Sequence, residues 1–407
     1  MRRIVSALLA ALLCISFPAS SPVLAETQAA ENASDGVARD ISMQCLFNDI
    51  PGERSTLTDG TYAVYFESSV VQKVSTLRIV PPEGETVGAV YIQWMYFPPV
   101  TDIQIENENG EWVTVAQGCG KYFAEYIPVP DIRQEFRIVD HDDNSQKIYI
   151  REMKVFTPGA APDGIQLWQE PGDKVDLMLM VGHPDDEVLW FGGLLPYYGG
   201  ELQKNVLVVC AAMNWSLRRL ELLDCLWACG IRTHPIHSRL EDQYEVTRKE
   251  ILSIWGEARV KKMYTEYIRK YKPDVLVLHD VKGEYGHPIH QAVSYLGREC
   301  AKLAADPSVY PEQVEAYGVW DIPKIYIHLY EENQIVLDWN QPLKRFGGKT
   351  SLEVAQEAYT WHISQSEKSY AVLDHGKYDN SVFGLYRTLV GPDVEKNDFF
   401  EHIPPAE

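Results

Sequence analysis

The sequence predicts two domains of different class, a β-sandwich followed by an α/β domain with a mainly parallel sheet. Three observations carry this. The 407 residues exceed what one ordinary core sustains. From about residue 41 to 157, apolar residues recur at every second position in short segments broken by turn signals. Beyond residue 173 they gather into continuous runs separated by helical stretches, the pattern of strands buried on both faces.

Residues 1–25 carry Arg2 and Arg3, an apolar stretch from Ile4 to Phe17, and Val-Leu-Ala before Glu26, the layout of a secretory signal peptide. The stretch is too short to span a bilayer, and no later run approaches the ~20 apolar residues of a transmembrane helix. A secreted protein without a transmembrane segment is expected. Cys14 follows Leu-Leu, without the small residue that precedes a lipoprotein cysteine, which argues against lipid anchoring. Residues 26–40 are small and polar and read as a disordered leader.

Lys and Arg number 37 against 58 Asp and Glu, a formal charge of −21. Such a field repels polyanions, so nucleic acid is excluded as a partner while neutral sugars and glycans stay open. The cysteines beyond the leader are too few for a disulfide scaffold across two domains. Cys45 and Cys119, both in the first half, are the pair expected to join if any does. The Cys225 and Cys229 spacing suits packing on one helix face better than zinc.

Within residues 41–157 the turn signals are TDG at 58–60, PPEGE at 81–85, NENGE at 107–111 and DHDDN at 140–144. LTDGTYAVYFES at 57–68, GAVYIQW at 88–94, EWVTVA at 111–116 and IYIREMKVF at 148–156 are rich in β-branched and aromatic residues. These segments resemble the discoidin, or coagulation factor type C, domain, a galactose-binding-like jelly roll. The resemblance implies a carbohydrate-binding domain with Ca2+ in a structural loop. Asp59 is the candidate cation ligand, although Asp59-Gly60 serves equally as a plain turn. Trp112, Tyr122 and Tyr126 are candidates to stack on a sugar, or to pack in the core.

Residues 158–173 are rich in Pro and Gly and read as a linker or strap. VDLMLMV at 175–181, NVLVVCAAM at 205–213 and DVLVLHD at 274–280 then read as buried parallel strands. RRLELLDCLWACG, ending in Gly230, and RKEILSIWGEARVKKMYTEYIRKYKP, ending at Pro273, read as intervening helices. In such sheets ligands bind beyond the carboxyl ends of the strands.

Two motifs stand at those ends. His183-Pro184-Asp185-Asp186-Glu187 follows the first strand; its proline and acids make a good helix start, and it lacks the glycines of a phosphate loop. HDVKGEYGHPIHQ at 279–291 follows the third, with His287 and His290 spaced for one side of a helix. Together they bring His183, Asp185, Asp186, His287 and His290 toward one pocket. Two imidazoles and a carboxylate make an open metal site. The spacing leaves open which imidazole of HPIH binds metal, and whether the metal is zinc or non-haem iron.

HPDDE followed by GEYGHPIH resembles the PIG-L/LmbE-like family of zinc-dependent N-deacetylases, with a Rossmann-like α/β fold over residues 174–407. LRRLELLDCLWACGI at 217–231 and AYTWHISQ at 358–365 extend the resemblance. It implies one Zn2+ on His183, Asp186 and His290, with Asp185 as general base. Tyr285 and His287 fall beside the substrate carbonyl, where a protonated His287 would stabilise the oxyanion and protonate the leaving amine. Arg218, Arg219 and His362 become candidates for substrate binding. Asp280 and His279 are candidates to orient a ligand histidine, and Glu187 only starts the helix. The expectation is an exported zinc enzyme hydrolysing the N-acetyl group of a GlcNAc-type sugar or glycan. The alternatives are a related zinc amidase on another N-acyl substrate and a non-catalytic glycan-binding or adhesion protein.

Overall fold

Apolar residues at every second position place one face of a strand in the core, and Val74–Val80 does this with Leu77 and Ile79 inside. It lies in an antiparallel sheet with Leu46–Phe47, Phe136–Asp140, Thr101–Glu106 and Trp112–Cys119. A second antiparallel sheet holds Tyr149–Phe156 and Val87–Trp94 at its centre, flanked by Phe66–Glu67 and Ala124–Ile132. Leu77, Ile103 and Ile138 of the first meet Val90, Ile92, Met153 and Val155 of the second in one core. The two sheets form the expected sandwich.

The computed structural model describes residues 36–404 apart from 62–63, 72–73, 141–146, 214–215, 244–245, 366–369 and 394–396. The expected signal peptide, Cys14, most of the leader and most of the DHDDN turn lie outside the described residues. Residues 36–40, grouped with the leader by composition, join the fold: Val37 and Asp40 bridge to Ala160 and Phe156, and Ala38 is buried. Cys45 and Cys119 are not joined, and all six described cysteines are free and buried. Desolvation, with Asp40 beside Cys45 and Glu125 beside Cys119, pushes both of those thiols up to about 12.

The three aromatics expected to meet sugar are otherwise engaged. Arg137 lies over the Trp112 ring at 4.0 Å, Tyr122 packs beside His234 at 4.9 Å, and Tyr126 lies against Phe156 at 6.0 Å. Tyr122 and Tyr126 belong to the seam with the second half, where Ala89, Tyr91, Phe123 and Phe156 share a core with the α/β sheet. The linker closes this seam as a strap. Ile165 and Trp168 are buried in it, Gln169 bridges to Thr233, and Trp168 packs edge-on against Trp227 at 5.4 Å.

We number the elements of the α/β half. Its strands are β1 (Leu177–Val181), β2 (Val206–Ala212), β3 (Ile236–Leu240), β4 (Val275–Leu278), β5 (Lys324–His328), β6 (Gln334–Val336) and β7 (Val382–Thr388). They stand in the order β3-β2-β1-β4-β5-β7-β6, parallel from β3 to β5, with β7 antiparallel to both neighbours. Every residue of β1, β2 and β4 is buried, which explains their unbroken apolar runs. The helices that position the site are α1 (Asp186–Leu189), α2 (Leu217–Ala228), α3 (Arg248–Trp255), α4 (Glu257–Tyr271), α5 (Pro288–Ala305), α6 (Pro311–Tyr317) and α7 (Ser351–Tyr359). The single helix expected over 248–273 is two, because Gly256 takes φ 70° and ends α3. Strand order reverses at β1, which has β2 on one side and β4 on the other. Both motifs leave the sheet there, at the crevice where such folds bind ligands. Among the described residues no helix is long and apolar enough to cross a membrane.

Candidate metal centre and active site

Val181 closes β1 and the chain turns at Gly182. A Cβ there would stand 2.9 Å from His290 Cδ2 and 3.0 Å from Asp186 Oδ2, so glycine lets the two motifs meet. Asp186 is where the imidazoles converge. Its Oδ2 accepts the His183 N–H at 2.7 Å and lies 3.3 Å from His183 Nδ1, 3.2 Å from His290 Nε2 and 3.5 Å from His279 Nε2. Burial alone would raise this carboxyl, but the His290, His183 and His279 rings hold it well below its ordinary range. Asp186 is therefore ionised.

A second carboxylate stands behind the rings. Glu284, fully buried, accepts from Nδ1 of His279 and of His290 at 2.7 Å each through Oε2, and from His328 Nδ1 at 2.7 Å through Oε1. With its Nδ1 committed to Glu284, His290 turns Nε2 toward Asp186. That Nε2 and His183 Nε2 are buried and make no hydrogen bond. Buried polar atoms left this way call for a ligand the chain does not supply. Donor atoms of His183, His287 and His290 lie within 4.8 Å of one another, as do those of Asp186, His279 and His290. Two sets sharing His290 beside an ionised carboxylate fit a transition metal with a coordination position to spare.

Asp185 and His287 flank this centre. Asp185 takes φ 120°, ψ −29°, a backbone state unusual outside glycine. Arg218 Nη2 donates to its Oδ1 at 3.0 Å. His287 caps α5, its Nδ1 accepting the Ile289 N–H at 3.3 Å, which leaves the proton on Nε2. Burial and the His290 and His183 rings push its pKa down to about 3. This environment favours the neutral imidazole, with Nε2–H as a donor. Tyr285, with φ 50° and 42% exposed, stacks on Tyr370 at 4.9 Å and lies 5.4 Å from His287. Burial and the Asp186 and Asp185 carboxylates raise its pKa, so its hydroxyl keeps its proton.

Residues 178–301 match the family described as PIG-L: GlcNAc-PI de-N-acetylase. These residues are a PIG-L domain. The chain is 28% identical over 235 residues to the 1D-myo-inositol 2-acetamido-2-deoxy-alpha-D-glucopyranoside deacetylase 1 of Catenulispora acidiphila, covering 50% of this chain and 70% of that one. It is 34% identical over 179 residues to the like-named deacetylase of Geodermatophilus obscurus, covering 37% and 60%. The chain therefore spans 60% to 70% of the length of these curated relatives. A solved N,N'-diacetylchitobiose deacetylase from Pyrococcus horikoshii aligns at TM-score 0.37 and 19% identity, over 47% of this chain and 71% of that one. The PIG-L domain makes the chain an enzyme, a hydrolase of a linear amide bond.

Within the PIG-L domain and the chain after it, the contacts of Arg218, Arg219, His362 and Asp280 are as follows. Arg218 is committed to Asp185 and the Pro184 carbonyl, not to open space. Arg219 faces the sandwich: Nη2 donates to the Met95 carbonyl at 3.2 Å, and the guanidinium lies 4.7 Å and 4.8 Å from the Phe97 and Phe123 rings. His362 is buried against Glu187, Nε2 to Oε1 at 2.6 Å. The Asp280 carboxylate accepts the Lys282 N–H at 3.1 Å, and the carboxylate that orients imidazoles is Glu284.

Two carboxylates at the site, Glu284 and Asp242, carry no role in the sequence reading, and a third, Glu187, does more than that reading gives it. Glu284 lies inside the GEYGHPIH motif, and that position was the available signal. Asp242 follows β3 at the same sheet edge, with Oδ1 3.4 Å from His183 Nε2. Glu187 does more than start α1, since its Oε2 accepts the Asp185 N–H at 2.8 Å.

Proposed function

We propose that the protein is an exported, zinc-dependent N-deacetylase that removes the N-acetyl group from a GlcNAc-type sugar or glycan. One observation carries this reading: Asp185 stands beside a convergent His183, Asp186 and His290 whose outward nitrogens lack hydrogen-bond partners. The named activities of the relatives support the amide and the sugar. An exported setting favours redox-inert zinc over iron.

His183, Asp186 and His290 would hold the zinc. When bound, it supplies Lewis-acid polarisation of the amide carbonyl and lowers the pKa of water toward ~7. Asp185 takes the proton of the attacking water, its carboxylate held by Arg218. His287 Nε2–H and the Tyr285 hydroxyl donate to the oxyanion that forms on the carbonyl. Asp185, having taken that proton, returns it to the departing amine. The exposed Tyr285 ring, stacked on Tyr370 at 4.9 Å with Trp190 buried behind it at 5.6 Å, offers a surface suited to the apolar face of a sugar.

The sandwich is read as a glycan-holding domain, with the exposed Tyr65 and Tyr96 rings as its platform. Calcium at Asp59 draws support from Glu152, which accepts the Gly60 N–H at 2.7 Å and is pushed up to about 7 by burial, with Asp59 beside it.

The test measures bound metal and acetate released from N-acetylglucosamine oligosaccharides, for the native chain and Asp185→Ala. Zinc near one per chain, with release abolished only in the variant, is expected. Zinc without acetate from any acetylated sugar overturns the deacetylase reading and leaves a related amidase. A chain that binds no metal overturns both.

A further inference from the structure

Asp185 holds a backbone state, φ 120° and ψ −29°, that an L-residue with a side chain rarely keeps without outside restraint. The restraint on its backbone is a buried relay. The Asp185 N–H donates to Glu187 Oε2 at 2.8 Å, and Glu187 Oε1 lies 2.6 Å from His362 Nε2. Asp185 is 5% exposed, Glu187 0% and His362 1%, so water does not compete for these bonds.

The relay is anchored far away in sequence. His362 follows α7, and two residues on, Ser364 ties the segment down by donating through its N–H at 2.7 Å and its hydroxyl at 2.6 Å to Glu221 of α2. The same helix carries Arg218, which grips the Asp185 carboxylate. Asp185 is thus held twice against α2, by its side chain through Arg218 and by its backbone through Glu187, His362 and Ser364. His362 Nδ1 is buried and makes no hydrogen bond, so among the described residues the ring's hydrogen bond goes to Glu187.

We infer that the Glu187–His362 pair is a positioning device that keeps Asp185 in its left-handed backbone state and so sets where its carboxylate stands relative to His183 and His290. Glu187 and His362 are positioning residues, not catalytic ones. The inference rests on the reading of Asp185 as the base for its kinetic consequence, but its structural content does not. A misplacement of 1 Å in a reacting group costs on the order of 10²-fold in rate.

The test uses the full chain with His362→Ala, His362→Gln and Glu187→Gln. Crystal structures of His362→Ala and Glu187→Gln should show Asp185 out of its left-handed state, while His362→Gln, which keeps an N–H donor for Glu187, should retain it. On an acetylated sugar His362→Ala and Glu187→Gln should lose about 10²-fold in kcat, with KM and bound metal unchanged. Added imidazole should restore His362→Ala, and His362→Gln should regain part of the loss. Asp185 unmoved in both crystal structures overturns the inference, as does kcat unmoved or indifferent to imidazole. Should His362→Ala fail to fold, Glu187→Gln and His362→Gln carry the same decision. A native chain that releases no acetate defeats the functional reading alone, and the crystal structures still decide this one.

Discussion

Glu284 Oε2 stands 2.7 Å from His290 Nδ1, and that one contact decides which face of the His290 ring is left for a metal. A carboxylate behind a ligating imidazole fixes its tautomer and raises its basicity. Glu284→Gln should weaken metal binding by about 10- to 100-fold, read as metal lost to a competing chelator. Because Glu284 also receives His279 and His328, the variant should lose thermal stability as well. Unaltered metal retention would contradict the role given to Glu284.

Asp185→Asn should separate binding from turnover. Asparagine preserves the shape but cannot take a proton, so acetate release should fall by about 10²- to 10⁴-fold. Metal content should stay native, since Asp185 is not among the convergent donors. Metal analysis beside an acetate assay checks both halves.

Arg219→Ala should loosen the seam between the halves. Its guanidinium lies against Phe97 and Phe123, contacts worth about 0.5 to 2 kcal/mol each, and it donates to the Met95 carbonyl. A lower Tm and faster proteolysis in the strap over 158–173 are expected, with metal content unchanged. Calorimetry and limited proteolysis measure these.

Acid should weaken the same seam through His234. Burial lowers this imidazole from 6.5 to about 4, and its Nε2 accepts the Phe123 N–H. The folded chain binds fewer protons here than the unfolded chain, so the stability His234 contributes is present above pH ~6.5 and is lost as pH falls toward ~4. His234→Phe, which keeps a ring without a titrating nitrogen, should flatten this part of the Tm against pH curve. A variant curve parallel to the native one would remove His234 from the account.

Much of the fold was legible because its signals are local. Unbroken apolar runs such as Leu177–Val181 mark strands covered on both faces, and alternating ones such as Val74–Val80 mark strands covered on one. His183, Asp185, Asp186, His287 and His290 were legible for the same reason, being short motifs at strand ends. Arg218 and Arg219 were read together and do different things. On a helix of 3.6 residues per turn, neighbours point about 100° apart, so one reaches Asp185 and the other reaches the sandwich. Gly256 sits within a continuous helical pattern in the sequence, although a glycine between two apolar stretches is where a left-handed cap belongs.

The sequence by itself determined the two domain classes, the strand ends that carry chemistry, and the residue types able to hold a metal and move a proton. Only the tertiary structure decided which carboxylate serves which ring. Glu284, Glu187 and Asp242 acquire roles from His328, His362 and His183, partners brought by separate segments. A buried charge is defined by what surrounds it, and burial and partners are properties of the folded chain.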